Sequence, residues 1–143
     1  MTSDKKKAYL LAPVSDLGEV PAQQVITTLL KSGWYVLSER GSARLGPGDE
    51  ICLYQKGVGI VSRAILASER QTNRLSYPFE QFRWAFRIRD YKMFLDKPIV
   101  ISHDLRAILE AFSGKSLTRW AWFVQSAHSV SEHDFNLLTN HDS

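Results

Sequence analysis

The stretch "FRWAFRIR" at residues 82–89 alternates without a break, with Phe82, Trp84, Phe86 and Ile88 on one parity and Arg83, Ala85, Arg87 and Arg89 on the other. A helix would scatter these groups around its circumference, whereas a strand sends successive side chains to opposite faces. The stretch therefore reads as a strand with an apolar, core-facing side and a basic side. Such a strand needs sheet neighbours and a layer to cover its apolar face. The chain has 143 residues, 44% of them hydrophobic, which is enough for one domain with a real core.

Sheet neighbours are easy to find. "AYLLAPV" (8–14) and "WYVLS" (34–38) read as strands, and "GPGDEICLYQKGVGIVSRAIL" (46–66) reads as a turn followed by a hairpin. In that hairpin Ile51 and Leu53 share one face while Cys52 and Tyr54 share the other. "KPIVIS" (97–102) and "TRWAWFVQ" (118–125) are expected to be further strands. Helical spacing appears three times. Val25, Ile26, Leu29 and Leu30 repeat after Pro21 and stop at Gly33, and Leu105, Ile108, Leu109 and Phe112 follow an N-cap at Ser102 and stop at Gly114. "SVSEHDFNLL" opens with Ser129 and Glu132 at capping-box spacing. Short strands with only three helices predict an α+β fold, a small β-barrel of about six strands surrounded by about three helices. The domain is expected over residues 8–139, between a disordered start (1–7) and a short tail (140–143).

Several functions are excluded or demoted by what the chain lacks. Cys52 is the only cysteine, so an intrachain disulfide and a multi-thiolate metal cluster are out. Cys52 reads as a small packed hydrophobe, without a histidine beside it to make it a nucleophile. The four histidines, at 103, 128, 133 and 141, show no metal-ligand spacing, so no metal is expected. No nucleophile elbow, Walker loop or dinucleotide fingerprint is present, and no cofactor is expected. Asp49 and Glu50 point to opposite faces of a strand, which spoils them as a catalytic pair. No apolar run reaches the length of a signal peptide or membrane span, so the expectation is a cytoplasmic protein without a membrane partner.

The unusual feature is a supply of flat rings among cations. Trp34, Tyr35, Tyr54, Trp84, Trp120 and Trp122 stand near Lys56, Arg63, Arg83, Arg87, Arg89 and Arg119, and the net charge is +3. Rings can stack on nucleobases while arginines hold phosphates, so the pattern suits nucleic-acid recognition. It also suits a small core rich in aromatics. Trp84, on the apolar face of its strand, takes the core reading. Trp120 and Trp122 would point to the same side of a strand, with at least one in the core. Trp34 and Tyr35 oppose each other, so one can pack inward while the other faces a pocket.

Taken in order, "GWYVLSERGSARLGPGDEICLYQKGVGIVSRAIL" (33–66), "YPF" (77–79), "DLRAILEAF" (104–112), "RWAWF" (119–123) and "SVSEHDFNLL" (129–138) resemble the segments of EVE domains in the PUA-like superfamily. Two positions depart from the family pattern, Ser62 in place of a glycine and Leu10 in place of a tryptophan. The resemblance implies a β-barrel related to YTH and ASCH domains, and a pocket for a modified, flipped-out base. EVE and related modules recognise 5-methylcytosine or 5-hydroxymethylcytosine in DNA in methylation-dependent restriction, while YTH domains cage N6-methyladenosine in RNA. Carried over, the implied base pocket holds Ser15, Trp34 or Tyr35, Tyr54, Gln55 and Trp120. Lys56, Arg63, Arg83, Arg87 and Arg119 would meet the nucleic-acid backbone.

The reading that follows is a non-catalytic reader of a modified base, with DNA ahead of RNA as the partner and any cleavage left to a separate nuclease chain. Two alternatives stay open. An ASCH-like acylcytidine amidohydrolase would need a Lys, a Thr and a Glu together, for which Thr28 and Lys31 on the first helix offer two. A structural or protein-binding domain would keep all the rings in the core.

Overall fold

The computed structural model describes residues 6–38 and 44–140. The start at 1–5, part of the loop after "WYVLS" and the tail at 141–143 lie outside the described residues. Among the described residues seven strands, β1 (Tyr9–Val14), β2 (Trp34–Leu37), β3 (Glu50–Gln55), β4 (Gly59–Leu66), β5 (Gln71–Thr72), β6 (Trp84–Met93) and β7 (His128–Val130), join in one mixed sheet of order β2-β6-β4-β3-β1-β7, with β5 on β6. The sheet curls into a half-barrel. Three α-helices of the described residues, α1 (Ala22–Ser32), α2 (His103–Ile108) and α3 (Glu132–Thr139), pack around it, giving the expected α+β architecture.

The alternating strand is the hub of this sheet. β6 pairs antiparallel with β2, β4 and β5, and its buried Phe86 and Ile88 enter the inner core while Arg87 and Arg89 stay exposed. The hairpin β3–β4 divides its side chains as the alternation requires. Ile51 and Leu53 join Leu10, Phe86 and the α1 residues Ile26 and Leu30 inside the barrel, while Cys52 and Tyr54 join Phe112, Phe123 and Phe135 in a second core outside the sheet. α1 closes the half-barrel. Its start is held by Asp16, whose Oδ1 accepts from Ala22 N at 2.8 Å, and Gly33 ends it with a φ of 81°.

β1 sits parallel to β3 and antiparallel to β7, but β7 pairs only with residues 9–11. The second half of β1 is left facing the gap toward β2, where α1 and residues 125–127 also arrive. Elsewhere the sequence expectation needs correction. Residues 97–102 form a single bridge, Ile60 to Ile99, instead of a strand. Residues 118–125 are not a strand either; Ala121–Val124 is a turn of 3-10 helix. There the Ser116 hydroxyl accepts from Thr118 N and Arg119 N, both at 3.2 Å, and this local bonding outcompetes sheet pairing.

The helix capped by Ser102 ends at Ile108, and Leu109 is extended before a 3-10 turn at Glu110–Phe112. The cause lies on another element. The carboxylate of Asp134, 1% exposed, accepts from Glu110 N at 2.7 Å and Ala111 N at 2.9 Å, drawing those amides out of the helix ladder. α3 is capped by Ser131, which accepts from Asp134 N at 3.1 Å, and Ser129 instead belongs to β7.

Candidate functional site

The gap beside β1 holds a cavity of about 200 Å³. Pro13, Val14 and Ser15 form one wall, Tyr35, Val36 and Leu37 of β2 the opposite wall, Val25 and Leu29 of α1 the floor, and Phe82 with Gln125, Ser126 and Ala127 the remaining sides. Ser15, Gln125 and Ser126 are exposed at its mouth, so an apolar interior carries its polar groups at the rim. The volume lies below the roughly 300–1,000 Å³ of sites for drug-sized ligands. It has room for one ring system. Tyr35, 4% exposed, supplies an aromatic wall, and its neighbour Trp34 turns to the other side of β2, where the Arg87 guanidinium lies 4.3 Å from its ring centroid. The ambiguity between the two is thus resolved in geometry: Tyr35 lines the cavity and Trp34 stacks outside it.

Tyr54 and Trp120 line a different, more open groove of about 600 Å³ with Arg119, Trp122 and Val124. Gln55 ends β3 opposite Val14 and lines neither hollow. The proposed pocket residues therefore do not form one cage: Ser15 and Tyr35 line the cavity, Tyr54 and Trp120 the groove, and Trp34 and Gln55 neither. Sequence reasoning missed Phe82, Leu37, Gln125 and Ser126 at the first and gave Trp122 no role at the second. Phe82 was hidden because it reads as the first residue of the strand, while its backbone stops short of β6. Trp84 does not behave as a core residue. It is partly exposed, with the Arg70 guanidinium 3.8 Å from its ring centroid and that of Arg83 at 5.1 Å.

The cations also sort into groups. Arg83, Arg87 and Arg119 are exposed, as is Lys56 just beyond Gln55, and the amide of Arg83 donates to Ser38 Oγ at 3.3 Å, beside the Leu37 wall. Arg63 is engaged within the fold. It pairs with Glu50 at 2.8 Å and lies 5.7 Å from the Phe135 ring, while Lys7 takes the other Glu50 oxygen at 2.7 Å. The bond to Glu50 raises the Lys7 pKa. Thr28 and Lys31 are exposed on α1 and do not line the cavity. Burial pushes the Cys52 thiol far above its ordinary range, which leaves no thiolate for chemistry. Ligand-capable atoms of Glu110, His133 and Asp134 fall within 4.8 Å of one another, a grouping that spacing along one element cannot reveal. Its Asp134 carboxylate is already bonded to backbone amides.

No protein-family model matches the chain, and no curated protein matches it in sequence. Solved structures do match in shape. The RNA complex of the YTH domain-containing protein mmi1 superposes with a TM-score of 0.63 over 94% of this chain and 80% of that one, at 10% identity. The fold is that of YTH domains. The YTH domain of Zygosaccharomyces rouxii MRB1, in complex with N6-methyladenosine RNA, gives 0.57 at 14% identity over 94% of this chain and 85% of its own. Rpa0253 from Rhodopseudomonas palustris gives 0.56 at 15% identity over 92% and 90%. Among the described residues no helix is long and apolar enough to cross a membrane.

Proposed function

We propose that the chain is a non-catalytic reader of a modified nucleobase, with the cavity between β1 and β2 receiving the base. The observation that carries this reading is the ring-sized hollow walled by Tyr35 and Phe82, apolar within and polar at the rim, beside the exposed Arg83. A base extruded from a strand loses stacking worth a few kcal/mol, and a closed pocket of rings and apolar groups restores much of it. A methyl group adds apolar contact there, while Ser15, Gln125 and Ser126 stand where the base edge would emerge. Arg83 and Arg87 would hold phosphates, which sets affinity and register without reading sequence.

The first target is 5-methylcytosine or 5-hydroxymethylcytosine in DNA, with cleavage, where it occurs, left to a separate nuclease. The second is N6-methyladenosine in RNA, supported by the fold shared with the YTH structure bound to such RNA. The test is a binding panel of otherwise identical DNA and RNA oligonucleotides, with and without each modification. One modified strand is expected to bind about ten-fold tighter than its plain counterpart, the scale of one methyl group in an apolar pocket. Ser15→Phe, at an exposed position on the mouth, should remove that preference without changing the melting temperature. Equal affinity across the panel would overturn the reading.

A further inference from the structure

The groove on the far side of the 118–127 segment is a second aromatic hollow, and its two indoles are held in different ways. Trp122, 38% exposed, donates from Nε1 to Arg119 O at 3.1 Å and rests against Phe112, with ring centroids 5.1 Å apart. Trp120 lies over the Arg106 guanidinium at 4.6 Å, and Arg106 is itself only 9% exposed and tied to Leu117 O and Ile101 O at 2.7 and 2.6 Å. An indole fixed by a hydrogen bond and a ring contact offers a pre-set face on which a base can stack. Cations border it. Lys115 Nζ lies over the Trp122 ring, 4.5 Å from its centroid, and would leave that face for the phosphate when a base stacks there; Arg119 is exposed beside it, and the Glu110 carboxylate accepts from Ser131.

The groove adjoins the base cavity. Val124 lines one and Gln125 the other, and Pro13 of the cavity is the sheet partner of Tyr54 of the groove, across one strand spacing. A strand with one base in the cavity thus runs past the indoles at its next positions. We propose that the Trp120–Trp122 groove is a stacking site for the nucleotide flanking the modified base, with Arg119 and Lys115 holding its phosphate. This deepens the base-reader proposal and rests on it for the identity of the neighbour. Stacking on a rigid ring is tolerant of base identity. The groove therefore contributes affinity while the cavity contributes choice.

The two contributions are separable by experiment. Binding of single-stranded DNA and RNA oligonucleotides, modified and plain, is followed by fluorescence anisotropy in wild type, Trp122→Ala, Trp122→Phe and Ser15→Phe, with melting temperatures measured for each. Trp122→Ala should weaken modified and plain strands alike, by about ten-fold, leaving their ratio intact, and Trp122→Phe should restore most of the loss. Isolated modified nucleoside should bind wild type and Trp122→Ala equally. Unchanged oligonucleotide affinity in Trp122→Ala, or a loss confined to modified strands, overturns the proposal. A wild type that shows no preference for modification, yet loses affinity for all strands in Trp122→Ala, sinks the base-reader reading and keeps the groove as a stacking site.

Discussion

Cys52 carries its thiol in the apolar layer outside the sheet, with no accessible surface, and desolvation is what raises its pKa. In the folded chain the thiol keeps its proton at a pH where the unfolded chain has lost it. Stability from this group is therefore whole below the ordinary thiol range and falls as pH rises through and beyond it. The expected loss is about 1.4 kcal/mol per pH unit above roughly pH 9. Urea unfolding at pH 8 and pH 10 should show this slope in the wild type and a much flatter one in Cys52→Ala. Tyr9, raised by burial, and Lys7, raised by its Glu50 bond, lose their contributions as pH rises above their own ordinary values of 10.0 and 10.5, and add to the decline from there upward. Ser62, the other fully buried polar group on this hairpin, has no hydrogen-bond partner for its Oγ, an unusual state for a buried hydroxyl.

At the level of elements, Gly59 shows how closely the hairpin and the 97–102 segment approach. A Cβ built there would fall 2.6 Å from the Ile99 carbonyl oxygen, at a φ of 153°. Gly59→Ala should cost roughly 2 kcal/mol or more in urea unfolding, because backbone must move. Gly57→Ala, with nothing within 4 Å, should cost only the strain of its φ of 80°, about 1 kcal/mol. Elements with their own period were legible in sequence: β6 from its alternation, α1 from its apolar spacing and Gly33, and the faces of the hairpin from parity. Elements decided by a distant partner were not. The break in the helix after Ile108 depends on Asp134 reaching the Glu110 and Ala111 amides, and nothing near residue 108 announces it. The "RWAWF" stretch has a strand's alternation but is bent by the Ser116 hydroxyl, so Trp120 and Trp122 end in a groove and not on a sheet face. At the site, Ser15 was offered by the resemblance to EVE domains, and the opposed parity of Trp34 and Tyr35 offered one of that pair without saying which. Gln125 and Ser126 belong to a turn with no pattern of its own.

On the scale of the whole molecule, the exposed arginines should act together through the salt dependence of binding. Arg83→Gln and Arg87→Gln should each reduce the slope of log affinity against log salt by about one, uniformly across sequences. Arg63→Gln should behave differently, lowering stability and leaving the slope alone, because its guanidinium neutralises Glu50, which is 8% exposed. Titrations between low and physiological salt, paired with melting curves, separate these outcomes. The same scale exposes a matter of timing in the parallel pairing of β1 with β3. β1 leaves the ribosome well before β3, waits for the β3–β4 hairpin, and is flanked on its other side only when β7 has been made. Pairings so distant along the chain close slowly and late. Pro13 to Ser15 and Gln125 to Ala127, the two cavity walls that lie on these late-joining pieces, meet only when the sheet is complete. A chain in which these pieces have not yet joined lacks two of the walls of the cavity.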